Sequence, residues 1–434
     1  MGHRFRPVSI WQHNFTAPSA PLRKEDMSSA KPSRRPELDA LRGLFLVLMV
    51  AVHLPTQVSD WANQPIGFIS AAEGFVGLSA LLAGRIYFGK IATDERGVWR
   101  KLWKHALKIY SYQLILLALL FTIAAAVAVN THRTAILNLL TFYIAHPFRA
   151  LIASVALIYC PPLFDILPMY IIFLFLTPLL LSVARRIGWN WILAASAGFW
   201  LSAQFGLRDV VDRWISHATH LNMPIVGAGA FNLFAWQAVW IIGLWFGATS
   251  AVGQIPLHRL PRWTVPLSIV ICSFFLCVRH GWLGPHWNQQ SFGMELDKWQ
   301  LGPLRVLNIA AYIVLFWWLR KHIANALTHE PMVMFGQASI EVFCGHLFFV
   351  FLGLGLVTGD LLHASGPAAV TLDIITFPAL FAMAWWIVHR RERKRLAPRT
   401  PRGKPTTPTG EASAVVVREE LLASQQNLYI AENK

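Results

Sequence analysis

Long apolar runs, separated by short polar loops, fill most of the 434 residues. A helix needs about 17–25 residues to cross the ~30 Å hydrocarbon layer. Runs of that length fall approximately at 38–56, 66–88, 106–129, 163–184, 189–206, 231–250, 263–281, 303–320, 334–357 and 367–389. Two more apolar stretches, 134–146 and 147–160, are interrupted by Pro147, Arg149 and the Pro161–Pro162 pair. They read as interfacial or re-entrant pieces, or else as an extra helical pair. The expected fold class is all-α: a polytopic integral membrane protein with about ten transmembrane helices.

Charge placement sets the expected orientation. Every second loop is basic: Lys90, Arg96, Arg100, Lys101 and Lys104; Arg185 and Arg186; Arg259 and Arg262; Arg320 and Lys321; then HRRERKR from His389. The intervening loops hold fewer cations and carry Asp60, Asp209, Asp212, Asp297 and Asp360. The positive-inside rule then puts both termini in the cytoplasm of a bacterial inner membrane, and an odd helix count would expose a strongly basic flank. Residues 1–35 are polar, basic and Pro-rich, with no apolar core of a cleavable signal. They read as a disordered cytoplasmic segment, 36–390 as the transmembrane domain, and 391–434 as a disordered cytoplasmic tail.

Composition agrees with that picture. Hydrophobic residues make up 55% of the chain and charged ones 14%, too few to solvate a soluble surface of this size. A net charge of +16 would suggest nucleic acid in a soluble chain. Here the cations sit in loops that face anionic lipid, so membrane lipids are the expected partner and nucleic acid is not. Cys160, Cys272, Cys277 and Cys344 lie in or beside apolar runs, without zinc spacing, and read as small buried hydrophobes. No metal site is expected. Gly67, Gly74, Gly77 and Gly84 share similar faces of the second segment, a pattern that lets helices approach closely.

Ionisable groups inside a bilayer cost about 2.5–3.5 kcal/mol even on lenient scales, so they are the candidates for function. Arg42 and His53 lie eleven residues apart on the first segment. At 100° per residue they face within about 20° of each other, roughly 16 Å apart along the axis. A snorkelling anchor and an interfacial histidine would account for them equally. Glu73, about 10 Å into the second segment, sits at a depth compatible with His53. A carboxylate there orients an imidazole as general base, or forms a structural ion pair with an arginine. Asp165, Trp236, Gln237, Asp297, Lys298 and Arg305 gather on the outer half, and Lys104, Lys108 and Tyr110 open the third segment. Trp282, Trp287 and Trp299 near the outer boundary suit belt anchoring or the apolar face of a sugar. Glu341 and His346 lie on the ninth segment. A cationic inner end joined to an acid–imidazole outer cluster suits transfer of an activated group across the membrane. It suits a proton-coupled transporter equally, although no convincing correspondence between halves supports one.

Six blocks, in order, narrow the choice: RRPELDALRGLFLVLMVAVHLP, GFISAAEGFVGLSALLAGRIYFG, DILPMYIIFLFLTPLLL, FNLFAWQAVWIIGLWFG, DKWQLGPLRVLNIAA and FGQASIEVFCGH. From about residue 34 to 390 the chain resembles the OpgC family, which adds succinyl groups to osmoregulated periplasmic glucans. That family is similar to the wider membrane O-acyltransferases of the acyltransferase-three type, whose first helix carries an arginine, ten residues and a histidine. Arg42 and His53 reproduce that spacing, and Glu73 and Ser79 match positions of a second-helix motif. The resemblance implies His53 and Glu73 as catalytic residues, and Arg42, Arg100, Lys104 and Lys108 as binders of acyl-CoA, succinyl-CoA above all. The outer set is Asp165, Trp236, Gln237, Asp297, Lys298 and Arg305, for the glucan acceptor or the oxyanion. It implies no permanently bound cofactor. An acetyltransferase acting on another surface polysaccharide is the rival within the enzymes. The chain departs from the pattern at Ala80, where glycine is expected, at Gln113, where histidine is frequent, and at Ser70, where aspartate is.

Overall fold

The computed structural model describes residues 35–221, 223, 225–254, 256–356 and 366–396. The expectations for residues 1–34 and 397–434, and the Asp360 loop, lie outside the described residues. Among these residues the protein is helical and has no strand. All ten apolar segments are helices: α1 Pro36–His53, α2 Ala71–Tyr87, α3 Glu95–Thr131, α4 Ile166–Ile187, α5 Trp189–Gln204, α6 Leu233–Ala251, α7 Thr264–Arg279, α8 Pro303–Leu327, a bent pair α9 Glu330–Gln337 and α10 Ser339–Leu356, and α11 Pro367–Leu396. The chain forms two units. Met1–Val388 holds the helical bundle, and His389–Lys434 includes the end of α11.

Five of these helices (α3, α4, α6, α8 and α11) are long and apolar enough to cross a membrane, and a sixth span results if the bent pair counts as one. Among the described residues the protein is thus an all-helical membrane protein. The other four, α1, α2, α5 and α7, stand where the hydrophobic pattern puts them but run to 18, 17, 16 and 16 residues. That is at or just below the short end of what the hydrocarbon layer requires.

Two segments differ most from their sequence outlines. The third extends back to Glu95 through its cationic start, making a 37-residue helix about 55 Å long. Asp94 caps it by accepting from Gly97 N at 2.8 Å, which fixes the start eleven residues before the apolar run begins. The ninth is broken at Ala338, and its halves meet at 89°. The stretch 134–160 forms three short helices, Thr134–Leu139, Thr141–Ala145 and Pro147–Val155, none of spanning length.

Small residues bring the helix backbones together. A β-carbon on Gly243 would lie 2.5 Å from Gly77 O, and one on Gly84 2.2 Å from Leu244 O, so α2 and α6 meet along the glycine face seen in the sequence. Gly74 makes room for the Phe45 ring of α1. Gly336 and Gly43 do the same between α9 and α1: a β-carbon at 336 would stand 1.8 Å from Asp39 O. Backbone cannot yield as a flexible side chain does. Gly336→Ala is therefore expected to lower stability by about 1–3 kcal/mol through overpacking, read as a lower melting temperature of the detergent-solubilised protein. An unchanged melting temperature would mean that α1 and α9 separate freely.

Candidate active site

The Arg42–His53 stripe of α1 faces one helix. Arg42 Nη2 donates to Ser339 Oγ at 3.0 Å, and His53 Nδ1 lies 3.0 Å from His346 Nε2. Ser339 and His346 are seven residues apart, two turns of α10, so two stripes run side by side. The imidazoles lie near coplanar, 17° apart. His346 is fully buried and its Nδ1 meets Phe343 O one turn earlier, whereas His53 keeps part of its surface accessible. Just beyond His53, the buried Thr56 donates to Asp373 Oδ1 of α11 at 3.0 Å, which holds the end of α1.

Glu73 is not the partner of His53. Its carboxylate accepts from Arg305 Nε at 2.7 Å, with the guanidinium Nη2 2.6 Å away in the same ion pair, and the side chains of both residues are at most 1% exposed. It also closes a capping box at the start of α2, accepting from Ser70 N at 2.9 Å and from the Ser70 hydroxyl. The expected Glu73–His53 contact is thus corrected: the buried carboxylate pairs with Arg305, and His53 meets His346 instead. Ser70, a departure from the family pattern, works as the N-cap. Arg305 is the other half of that pair.

Three other outer candidates are engaged internally. Gln237 bridges to α5, accepting from Ser196 Oγ at 2.8 Å and donating to Ser196 O at 2.8 Å. Trp236 is buried and donates to Lys298 O and Trp299 O, both at 3.2 Å. Asp297 Oδ1 caps a turn by accepting from Gln300 N at 2.6 Å. These contacts shape the outer loop and engage both amide atoms of Gln237 and the Trp236 indole N–H within the protein. Asp165 precedes α4 and accepts from Ala230 N at 2.8 Å. Burial pushes its carboxyl up, against the pull of that N–H and of Lys298.

Lys298 stands apart from these. Its ammonium lies 4.6 Å from the centre of the Trp299 ring. It is close enough to feel His53, Glu73, Arg305 and Asp165, with no ion pair formed to any of them. Burial pulls it down, and the Glu73 carboxylate opposes that. Of the two outer candidate cations, Lys298 and Arg305, it is the one in no ion pair among the described residues.

At the other end of the stripe, Lys108 meets Glu341 Oε1 at 3.3 Å, and Tyr112 donates to the same oxygen at 3.3 Å. His105 feels Arg42, Lys108 and Glu341 together, so α1, α3 and α10 converge there. Arg100 and Lys104 are separate from that cluster. They line an exposed cleft of about 570 Å³ with Trp99 and Trp103. His105, Ser339 and Asp373 were missed by sequence reasoning. A lone acid in the apolar TLDIITF was the signal available for Asp373.

The fold and the two paired stripes define a helical membrane protein with an imidazole pair held between its first helix and a broken one. The sequence profile of the OpgC protein family matches residues 34–392, and the chain belongs to that family. Membership implies a glucan-modifying transferase of the acyltransferase type. No curated protein and no solved structure gives a significant match.

Proposed function

We propose that the protein moves a succinyl group from cytoplasmic acyl-CoA to hydroxyls of a periplasmic glucan, through a ten-span domain with both termini in the cytoplasm of the inner membrane. The observation that carries this reading is the Arg42–His53 stripe of α1 paired with Ser339–His346 of α10, in a chain of the OpgC family. It offers a fixed cation at one depth and a partly accessible imidazole about 16 Å further along.

In this mechanism Arg42 and Lys108 receive CoA phosphates, with Arg100 and Lys104 as the first cations met from the cytoplasm. The acyl arm lies along the stripe. The ring nitrogen of His53 that faces away from His346 takes the proton of the sugar hydroxyl. The hydroxyl oxygen attacks the thioester carbonyl, the C–S bond breaks, and the proton leaves with the CoA thiolate. Lys298 stabilises the oxyanion or holds the distal succinyl carboxylate. Asp165 and the Trp299 ring flank the acceptor.

Mass spectrometry of periplasmic glucans from cells with and without the gene tests the reading. A gene-dependent increment equal to a succinyl group is the expected result. An acetyl increment would change the donor, and unmodified glucan with altered solute flux would replace transfer by transport.

A further inference from the structure

A carbonyl oxygen only accepts hydrogen bonds, and that fact orients two rings. His346 Nδ1 bonds Phe343 O, so Nδ1 carries the hydrogen. A neutral His346 then has only a lone pair at Nε2. His53 Nδ1, 3.0 Å away, must supply the hydrogen of that bond. His53 is left with a bare lone pair on Nε2, at the far edge of its ring. Neutral rings fit the surroundings: His346 is fully buried, the Glu73 carboxylate is paired with Arg305, and Asp373 is bonded to Thr56.

We propose that His346 is a positioning residue for the acyl transfer put forward above. It holds His53 in the Nδ1–H tautomer, aims Nε2 away from α10, and shares the positive charge once Nε2 takes the acceptor proton. The hydrogen on His53 Nδ1 stays within the bond to His346 throughout, and the proton received at Nε2 is the one delivered to the departing thiolate. A second imidazole thus fills the orienting place that a carboxylate takes in an acid–imidazole pair. It supplies direction and a hydrogen-bond acceptor without a counter-charge. A carboxylate in this position would instead carry a charge in a site where His346 is wholly enclosed.

Two substitutions separate orientation from packing. In His346→Gln the amide oxygen reaches the place of ring Nε2 and accepts from His53. In His346→Asn the amide reaches only the place of Nδ1, so it bonds Phe343 O but falls short of His53. Phe343 lies inside α10, where its carbonyl is also an acceptor of the helix ladder, so both variants are expected to fold whether or not the side chain donates to it. The full-length protein in nanodiscs, with ¹⁵N-labelled histidine, is assayed for kcat and for the KM of succinyl-CoA. The expected result is kcat within about tenfold of the parent for Gln and a loss on the order of 10²-fold for Asn, with KM little changed in either. The ¹⁵N spectrum is expected to show an unprotonated Nε2 on His53 in the parent and in the Gln variant. In the Asn variant the ring should revert to the Nε2–H form that histidine favours in water.

Nε2–H on His53 of the parent, or a folded Asn variant with parental kcat, overturns the proposal. The tautomer is read without turnover. A protein that shows the expected spectrum yet transfers no acyl group therefore sinks the proposed function and not the ring geometry.

Discussion

Alanine at position 53 is expected to lower acyl transfer to glucan by a factor on the order of 10²–10⁴, the usual contribution of a general base. The loss should fall on kcat, because the ring acts on the acceptor proton while the donor's phosphates are held by cations at the far end of the stripe. The folded protein should survive. His53 is partly accessible and ends its helix, so truncation opens little cavity, and the main cost is the Nε2 of His346 left without a donor. In vitro transfer of labelled succinyl from succinyl-CoA to purified glucan, beside a melting curve of the same preparation, gives both numbers. A folded His53→Ala protein with undiminished transfer removes the mechanism altogether.

Glu73→Ala should act on the fold. The carboxylate and Arg305 are an enclosed pair joining α2 to α8, and removal of one partner strands a guanidinium in a low-dielectric interior. Such losses cost about 3–5 kcal/mol, and the broken capping box adds about 0.5–2 kcal/mol. Little folded protein is expected by size-exclusion chromatography. The double substitution Glu73→Ala, Arg305→Met removes both charges and should recover most of the stability. Its acyl transfer then shows what the pair adds to chemistry. If Glu73→Ala alone melted like the parent and lost only activity, the carboxylate would be acting on His53 after all.

The contrast between these two residues shows how much of the site was legible. Arg42 and His53 are on one helix, and the helical repeat alone sets their common face. The glycine face of α2 was legible for the same reason, since Gly77 and Gly84 meet α6 through the side they share. Glu73 was recognisable as a carboxylate in an expensive place, but its partner is 232 residues away in the chain. Depth made His53 plausible, because two groups at one level of a bilayer can meet if their helices are neighbours. Which helices are neighbours is a tertiary fact. Gln237 misled in the same way: an amide in an apolar helix serves a substrate or a neighbouring backbone, and only the position of Ser196 decided between them.

What the sequence determined by itself is everything set by short-range physics. The apolar runs became helices because backbone polar groups in an apolar phase must be satisfied locally. The spacing of Arg42 and His53 survived because the helix is rigid over eleven residues. The family could be read from the wording of its blocks. The tertiary structure decided the pairings: Glu73 with Arg305, His53 with His346, Lys108 with Glu341, and Lys298 with no salt-bridge partner among the described residues. Such pairings depend on how helices far apart in the chain pack and turn against one another, and at Ala338 on a bend that no hydrophobic period encodes.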